Sequence, residues 1–463
     1  MNKNQRFDEI KGMIRRLEVI LECVVLIVIF YFVWRAGYGD GIFPGYLGRG
    51  KYVLMLVYGT ILLVLFILCE AFQYGHQKIM DVVIAQWTAI IITNIITYFQ
   101  LSLMANHMIN AVPMLLLTVL EFVITIILCW LFSTIYHARY VPRNMVMIYG
   151  EQNSLSLKFK MESRPDKYSV TKTVSEGIGY DAIIEEIDRH DAVIINDVHG
   201  QLRNDILKYC YENGVRTYIA PKISDIVLRG APSVSLFDTP LLLVKGLGLT
   251  PGERAVKRFF DIFLCLVAMI VAGPVMLVIA LAIKLDDHGP VFYKQERVTR
   301  NGRLFDILKF RSMVVDAEKD GEPQAAVDND PRITRVGRVI RASRLDELPQ
   351  ILNILKGDMS IVGPRPERKE FNDAYTEKIP EFPYRLKVKG GLTGYAQIYG
   401  KYNTSAYDKL RLDLMYIEDY SILLDLRLIL MTIRILFSKE STEGFDKTTT
   451  VESGRKEGED HEA

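Results

Sequence analysis

An adjacent pair of carboxylates, Asp346 and Glu347, follows a dense run of arginines in the C-terminal part of the chain. Pro349 comes two residues later and apolar residues then recur at helical spacing, so we predict that both carboxylates lie at a helix start, with Ser343 or Asp346 as N-cap. The unpaired N–H groups and the helix dipole favour an ionised aspartate there. Such a pair can supply a nucleophile or a metal ligand together with a second carboxylate as base. Plain helix capping by acidic residues is the alternative.

Five arginines recur at every third position just before the carboxylates: Arg332, Arg335, Arg338, Arg341 and Arg344. On a helix this spacing puts several guanidinium groups on overlapping faces. Their mutual repulsion must be offset by anions, and a guanidinium group binds phosphate through two parallel hydrogen bonds. The array therefore predicts a phosphate partner. A solvated basic face, or a stripe lying on anionic lipid head groups, is the alternative.

Three weaker motifs supply further candidate anion-binding groups. Lys309 and Arg311 follow a strand-like stretch, Arg365 lies in a proline-rich turn, and residues 390–394 form a glycine-rich loop. Each motif alone is equally typical of a basic surface strand or an ordinary turn. A further basic run has lipid phosphates or water as its alternative partners: Lys294, Arg297, Arg300 and Arg303.

The composition places the chain in a membrane. It has 463 residues, of which 50 % are hydrophobic, and a net charge of +1, which argues against a nucleic-acid binder. A helix needs about 20 apolar residues to cross the hydrocarbon core. Four runs in the first 140 residues meet this length: 17–36, 52–72, 80–100 and 112–133. A buried helix of a soluble fold is the alternative for the first and third runs, which carry polar residues.

Basic residues near the helix ends predict the orientation of these four helices. Eight lie on one side: Lys3, Arg6, Lys11, Arg15, Arg16, Lys78, Arg139 and Arg143. Three lie on the other: Arg35, Arg49 and Lys51. Because basic residues concentrate in cytoplasmic loops, we expect the N-terminus and everything after residue 140 in the cytosol.

A fifth apolar run, 262–283, is interrupted at its centre by Gly273 and Pro274. Proline removes a backbone donor and glycine adds flexibility, so a sharp break is expected. We predict a helix, break, helix hairpin that re-enters the same leaflet. A kinked spanning helix is the alternative, and it would put residues 285 onward outside the cell.

Short apolar runs alternate with amphipathic ones between residues 141 and 250, which predicts a parallel sheet with crossover helices. The turn at 150–154 lacks the GxGxxG glycines that let a pyrophosphate approach the backbone. We therefore interpret this region as a degenerate nucleotide-fold module that serves as a spacer or a regulatory unit.

Taken together, the C-terminal motifs resemble those of the monotopic phosphoglycosyl transferases of bacterial surface-polysaccharide synthesis. The resemblance covers about 252–440 and includes KRxFD from Lys257, the proline-broken helix, KFRSM, SRLDELPQ, GPRPE and GLTG. The whole chain resembles the long form of that family, the undecaprenyl-phosphate hexose-1-phosphate transferases. Two departures are local: Gly390 stands where the family has proline, and Gly273 where some members have serine.

The resemblance implies a two-step displacement. Asp346 would attack the sugar-bearing phosphorus of a UDP-sugar and expel UMP, and undecaprenyl phosphate would then accept the sugar phosphate with help from Glu347. Arg341 matches the family's phosphate-binding arginine, and the remaining candidate phosphate- or nucleotide-binding residues are Arg365, Lys309 and Arg311. Mg²⁺ is expected, with Asp346 as its protein ligand, because a cation offsets the repulsion between phosphates and a carboxylate.

The predicted fold class is α/β with a membrane part. The expected divisions are a four-helix transmembrane region at 1–140, a Rossmann-like module at 141–250, a mixed α/β catalytic domain at 251–440 and a flexible acidic tail at 441–463. We expect a homodimer in the bacterial inner membrane with its catalytic domain in the cytosol. Two other functions stay open: a glycosyl transferase that releases UDP, and a membrane scaffold without activity.

Overall fold

The computed structural model describes residues 3–39, 48–74, 77–139, 142–150, 154–246, 248–315, 330–400 and 404–436. The chain divides into two compact units, Met1–Lys222 and Ile223–Ala463. The predicted acidic tail, 441–463, lies outside the described residues, as do residues 151–153 of the turn discussed above.

The N-terminal unit begins with four long apolar helices. They are α1 (Lys3–Trp34), α2 (Gly50–Leu68), α3 (Ile79–Ala105) and α4 (Val112–Arg139). A π-helical turn, Arg35–Gly39, continues α1. All four are long and apolar enough to cross a membrane, and one later helix brings the number of such helices in the described part of the chain to five.

Two buried carboxylates lie among these helices, each with hydroxyl or amide partners. The Tyr74 hydroxyl donates to Glu22 at 2.6 Å, and the Tyr58 hydroxyl donates to Glu121 at 2.5 Å. The Asn94 amide donates to the second Glu121 oxygen at 2.8 Å. Polar groups in an apolar bundle are tolerated when they face inward and bind one another. This packing explains how apolar runs that carry Glu22 and Asn94 form membrane-length helices.

A four-stranded parallel sheet completes the N-terminal unit and confirms the predicted parallel sheet. Its strands, in the order β2-β1-β3-β4, are β1 (Arg143–Tyr149), β2 (Tyr168–Ser175), β3 (Ala192–Asn196) and β4 (Arg216–Ile219). The accompanying helices are α5 (Ser154–Glu162), α6 (Tyr180–Asp188) and α7 (Gly200–Glu212).

The central strands of this sheet are apolar at successive positions because both faces are buried. Val146 and Ile148 of β1 belong to one core, whereas Met145 and Met147 belong to the other. A strand covered on both faces reads as a continuous hydrophobic run. This is why the sequence pattern alone indicates a parallel sheet.

The C-terminal unit mixes helices with three two-stranded sheets. Its helices are α8 (Ile223–Arg229), α9 (Pro251–Asp287), α10 (Arg335–Ala342), α11 (Gln350–Lys356), α12 (Lys369–Lys378), α13 (Tyr395–Tyr399), α14 (Ala406–Glu418) and α15 (Ile422–Leu436). Its strands are β5 (Ser233–Leu236), β6 (Thr239–Leu242), β7 (Phe292–Val298), β8 (Leu304–Phe310), β9 (Ser360–Val362) and β10 (Gly391–Thr393). The β5–β6 and β7–β8 pairs are antiparallel, and β9–β10 is parallel.

The fifth membrane-length helix, α9, is continuous. It contains 37 residues and begins with a capping box between Thr250 and Glu253. The expected interruption at Gly273 and Pro274 does not divide it, and Pro274 lies inside the helix. Proline removes a single hydrogen bond, and the turns on both sides can hold the helix together. The re-entrant path through a bilayer stays a prediction.

Charged residues near the start of α9 join it to the rest of the C-terminal unit. Lys257 forms an ion pair with Asp425 of α15 at 2.5 Å. Arg258 donates to two backbone carbonyls at the C-terminal end of α11. Asp261 accepts from the Ser360 hydroxyl at 2.8 Å and from the next backbone N–H of β9. The apolar helix is thereby attached to α11, which follows the Asp346–Glu347 pair, and to α15 and β9.

Candidate active site

The carboxylate pair lies in a 3-10 turn, Leu345–Glu347, between α10 and α11. Arg344 precedes the turn in a left-handed conformation with φ 54°, and Pro349 follows it as the last residue before α11. The carboxylates therefore lie one turn ahead of the helix. Among the described residues no backbone N–H of α11 donates to either carboxylate, so helix capping does not account for the pair.

Helix α10 is fixed against the segment that follows β8. The Thr334 hydroxyl caps α10 by accepting from the backbone N–H of Gly337 at 2.9 Å. A Cβ atom at Gly337 would lie 2.0 Å from the carbonyl oxygen of Ser312, so only glycine allows this approach. At the other end of α10 the Ser343 hydroxyl donates to the Val339 carbonyl. Ser343 thus belongs to the end of α10 and does not start the following helix.

Glu347 receives two cationic donors on one oxygen. Lys309 Nζ lies 2.8 Å and Arg365 Nη2 lies 3.1 Å from Glu347 Oε1. Burial raises the pKa of Glu347, but the charges of Arg365 and Lys309 outweigh burial and hold this pKa far below the ordinary value of a glutamate. Glu347 is consequently ionised throughout the physiological range.

Asp346 differs from its neighbour. Burial raises the pKa of Asp346 above the ordinary value, and the charge of Glu347 adds to that rise, whereas Lys309 and Arg341 oppose it. Among the described residues no side chain donates a hydrogen bond to the Asp346 carboxylate. The sequence predicts that a helix start favours ionised Asp346. In the structure the pKa of Asp346 is instead set by burial and Glu347, which raise it, and by Lys309 and Arg341, which lower it. Adjacent carboxylates with pKa values pushed apart are typical of sites with two distinct roles.

A buried asparagine sets the position of Lys309 relative to the pair. Asn353 of α11 donates to the Asp306 carbonyl at 2.8 Å and accepts from the Leu308 backbone N–H at 2.9 Å. These two bonds hold α11 beside β8, so Lys309, the next residue along β8, reaches Glu347. Sequence reasoning missed Asn353. A lone amide between apolar residues of a short helix was the available signal.

Of the arginine array, Arg341 is the member that acts on the pair. Its charge lowers the pKa of Asp346, and it lies in the last turn of α10. Arg332 instead forms an ion pair with Asp330 at 2.6 Å, and Arg335 and Arg338 are exposed. The regular spacing therefore does not bring the five guanidinium groups to one site. The phosphate partner predicted for the array stays a prediction, and Arg341 is a member of the array whose charge acts on Asp346.

Arg311, which the sequence predicts to bind phosphate or nucleotide, contacts residues at and after the C-terminal end of α9. Its guanidinium forms an ion pair with Asp287 and donates to the Pro290 carbonyl at 2.7 Å. The side chain is buried, and these contacts tie the C-terminal end of α9 to the residue that follows β8. Lys309 and Arg365, by contrast, both contact Glu347 of the carboxylate pair, and their binding of phosphate or nucleotide stays a prediction.

The residues present suit Mg²⁺ with a single protein ligand. No cluster of three or more His, Cys, Asp or Glu side chains able to hold an ion occurs in the part of the chain that the structure describes. Mg²⁺ is usually held by one or two carboxylates together with waters and substrate phosphates. Asp346, which receives no side-chain donor among the described residues, fits the carboxylate position in such a shared site.

The carboxylate pair lies near three cationic residues, Lys309, Arg341 and Arg365, and next to a helix of membrane length. This combination is typical of a membrane enzyme that acts on anionic substrates. Comparison with known proteins refines this class. Residues 252–439 match the sequence profile of the family described as bacterial sugar transferase. The chain is 33 % identical over 325 residues to the UDP-N-acetylgalactosamine-undecaprenyl-phosphate N-acetylgalactosaminephosphotransferase of Aeromonas hydrophila, a match that covers 69 % of this chain and 72 % of that protein.

Two further relatives match a smaller share of this chain. The UDP-glucose:undecaprenyl-phosphate glucose-1-phosphate transferase of Escherichia coli is 41 % identical over 211 residues, which is 44 % of each chain. A putative undecaprenyl-phosphate N-acetylgalactosaminyl 1-phosphate transferase of Bacillus subtilis is 48 % identical over 137 residues, 30 % of this chain and 76 % of that one. The chain belongs to the bacterial sugar transferase family.

Proposed function

We propose that the protein transfers a sugar 1-phosphate from a UDP-sugar to undecaprenyl phosphate and releases UMP. The names of the relatives supply the reaction class and the lipid acceptor. The observation that carries the proposal is the contrast within the pair: Glu347 is held by Lys309 and Arg365, whereas Asp346 receives no side-chain donor among the described residues. Such a carboxylate is available to bond to phosphorus.

In the first step an oxygen of Asp346 attacks the β-phosphorus of the UDP-sugar. The bond from this phosphorus to the oxygen that bridges to the α-phosphate breaks, and that oxygen leaves with the electron pair as part of UMP. The product is a sugar phosphate joined to Asp346 through an acyl phosphate bond. A carboxylate nucleophile divides one displacement into two easier ones.

In the second step an oxygen of undecaprenyl phosphate attacks the same phosphorus. The bond between phosphorus and Asp346 breaks, which restores the carboxylate and leaves the sugar on a lipid diphosphate. The long apolar surface of α9 suits an acceptor whose tail stays in the bilayer. The acceptor's phosphate then meets a water-soluble donor at the membrane surface.

The cations around the pair stabilise the transferring phosphate. Arg341 acts on the charge at Asp346, and Lys309 and Arg365 are the donors nearest to the pair. Because the pKa of Glu347 is so low, Glu347 is a weak base. We infer that Glu347 assists by holding Lys309 and Arg365 in place for the incoming phosphates. Mg²⁺, held by Asp346 and the donor's phosphates, would offset the repulsion between these anions.

The test is an assay of nucleotide release. Membranes that contain the protein are given undecaprenyl phosphate, Mg²⁺ and one UDP-sugar at a time, including UDP-glucose and UDP-N-acetylgalactosamine. UMP is expected from at least one donor, and removal of Mg²⁺ with a chelator is expected to stop its release. UDP as the sole product would support a glycosyl transferase that moves the bare sugar. No product from any donor would support a scaffold role.

We also propose that the catalytic unit faces the cytosol of a bacterium, at the inner membrane, and that two copies associate. The distribution of basic residues around the four N-terminal helices supports the orientation, and a re-entrant α9 keeps the residues on its two sides in one compartment. The family resemblance supports the dimer. Cysteine labelling from each side of sealed vesicles tests the orientation, and native mass spectrometry in nanodiscs tests the copy number.

A further inference from the structure

Four consecutive backbone carbonyls around Arg365 all accept hydrogen bonds. We call residues 364–367 the Arg365 segment. The donors are Gly391 N to Pro364 O at 2.9 Å, Arg385 Nη2 to Arg365 O at 2.9 Å, Arg297 Nη1 to Pro366 O at 3.2 Å, and Val298 N to Glu367 O at 2.9 Å. Ordinary loops leave most of their carbonyls to water, so this density of internal bonds indicates a backbone held in a single position.

The donors come from three separate elements, and the segment itself is stiff. Gly391 belongs to β10, Arg297 and Val298 belong to β7, and Arg385 lies in the 3-10 segment Phe382–Lys387. The two prolines of the segment have φ fixed by their rings. The Cα atom of Arg365 is therefore located by three parts of the fold, and its guanidinium extends from this fixed point to Glu347.

One of these donors is a buried ion pair. Arg385 Nε lies 2.8 Å and Arg385 Nη2 lies 2.7 Å from Asp413 Oδ2, and the two side chains are 2 % and 1 % exposed. The guanidinium also lies 5.0 Å from the centroid of the Phe382 ring. Burying two charges is costly unless further hydrogen bonds use the remaining donors. The further bond here goes to the carbonyl of Arg365.

We propose that Arg385, oriented by Asp413, is a positioning residue for the transfer reaction. It does not touch the reacting atoms. It fixes the backbone of Arg365, so that the Arg365 guanidinium stays on Glu347, next to Asp346. The inference rests on the proposed function for its activity readout. A purely structural alternative is that the pair only joins α14 to the 3-10 segment and stabilises the fold.

Arg385→Lys separates these two roles. The ammonium keeps the positive charge beside Asp413, but it lacks the planar fork that reaches two acceptors at once. A small displacement of a group near the reacting atoms costs about ten- to a hundredfold in rate. We therefore expect folded, membrane-bound protein with kcat for UMP release reduced in that range and with a smaller change in the KM for the UDP-sugar.

The division of the loss between kcat and KM supplies a readout that a structural role would not produce. Displacing Arg365 from Glu347 slows the chemical step while the UDP-sugar still binds, so kcat per folded molecule falls and KM changes little. A purely structural role would lower the amount of folded protein and leave kcat per folded molecule unchanged. Arg411→Lys is the matched control, because Arg411 lies on α14 near Asp413 and pairs with Asp408 at 3.2 Å. Its kcat and its KM are expected to match those of the unmodified protein.

Amide hydrogen exchange of residues 363–368 tests the positioning without relying on activity. Exchange is expected to quicken in Arg385→Lys and to stay unchanged in Arg411→Lys. If Arg385→Lys does not fold, Asp413→Asn, which preserves the side-chain volume, is read by the same measurements. Unchanged exchange together with an unchanged kcat per folded molecule would overturn the inference. Absence of UMP from the unmodified protein would instead refute the proposed function, and exchange alone would then decide the positioning role.

Discussion

Each unit of the molecule has a glutamate that accepts hydrogen bonds from nearby donors, but only the glutamate of the C-terminal unit has a second carboxylate beside it in the sequence. After β2 of the N-terminal unit, Glu176 accepts from the His199 backbone N–H at 2.9 Å and pairs with the His199 ring at 2.5 Å. In the C-terminal unit, Glu347 accepts from Lys309 and Arg365. Glu347 has an acidic neighbour, Asp346, that receives no such donor among the described residues.

At the N-terminal site each of the two carboxylates, Glu176 and Asp197, has a partner within the same unit. The carboxylate of Glu176 lies on the backbone N–H that precedes α7, which is the position an anionic ligand takes at a helix start. Asp197 pairs with Lys222 at 3.5 Å, and a Cβ atom at Gly150 would lie 2.1 Å from the Asp197 carbonyl oxygen. This edge of the sheet thus fills its own anion position, which supports a spacer or regulatory role. In the C-terminal unit, by contrast, no described side chain donates a hydrogen bond to Asp346, which supports the role proposed for it.

The largest effect is expected from Asp346→Asn, which removes the carboxylate that distinguishes the C-terminal site. The amide keeps the shape of the side chain but cannot attack phosphorus, so UMP release is expected to fall about 10⁴-fold or more. Radiolabelled donor should label the protein before acceptor is added, and this label should be absent from the variant. Asp306→Asn is the control, because this exposed carboxylate on β8 lies near the pair and its side chain takes no part in it. If the Asp346→Asn protein is still labelled, the nucleophile is a different residue.

Lys309→Met tests whether the cations set the ionisation of the pair. The reaction needs ionised Asp346, so activity is present above the pKa of Asp346 and is lost as the pH falls through it. Lys309 lowers the pKa of Asp346 and Glu347. Its removal should therefore move the acid limb of kcat to higher pH and reduce the rate at neutral pH about a hundredfold. An acid limb at its original position would show that Lys309 does not face the pair.

The sequence predicted the elements better than it predicted the contacts. The parallel sheet and the apolar helices follow from periodicity. Motif resemblance selected Lys309, Arg311 and Arg365 as candidates for binding phosphate but did not predict their contacts. Lys309 and Arg311 are two residues apart in KFRSM, and only the fold sends Lys309 to Glu347 and Arg311 to Asp287. A motif locates a stretch of backbone, but a strand that ends between two residues can send their side chains to different partners.

The arginine array shows the same limit for a periodic pattern. Spacing of three on a helix brings side chains to overlapping faces only while the helix continues. Here α10 covers Arg335–Ala342, so Arg332 lies before it and Arg344 lies after it in a left-handed conformation. The buried pair of Arg385 and Asp413 was beyond prediction as well. Its members are 28 residues apart, and only the tertiary structure joins them to Arg365.

Asn353→Ala measures how firmly the pair is supported. The change removes both bonds between α11 and β8 and leaves the Leu308 N–H and the Asp306 carbonyl without their partner. An unsatisfied buried group costs about 1–3 kcal/mol, so thermal unfolding of the C-terminal unit should begin at a lower temperature. Leu352→Ala, at a half-exposed position on the same helix, is the control and should have little effect. An unchanged transition in Asn353→Ala would show that other contacts locate Lys309.

The smallest effect on UMP release is expected from Glu176→Gln, which removes the negative charge beside His199 in the N-terminal unit. Burial raises the pKa of Glu176, but the His199 donors outweigh it, so this pKa lies below the ordinary value. A lowered pKa gives stability that is present above the unfolded-state pKa and is lost as the pH falls through the folded-state pKa.

The variant should lose this acid dependence in urea unfolding of the N-terminal unit. The cost near neutral pH should be at most about 1 kcal/mol, because the His199 side chain is 72 % exposed. UMP release should stay within about twofold of the unmodified protein, since the candidate active site lies in the C-terminal unit. His199→Gln, which keeps the backbone donor, is the companion variant. A folded Glu176→Gln protein with a tenfold loss of turnover would mean that this edge of the sheet acts in the reaction, and the contrast between the two units would then fail.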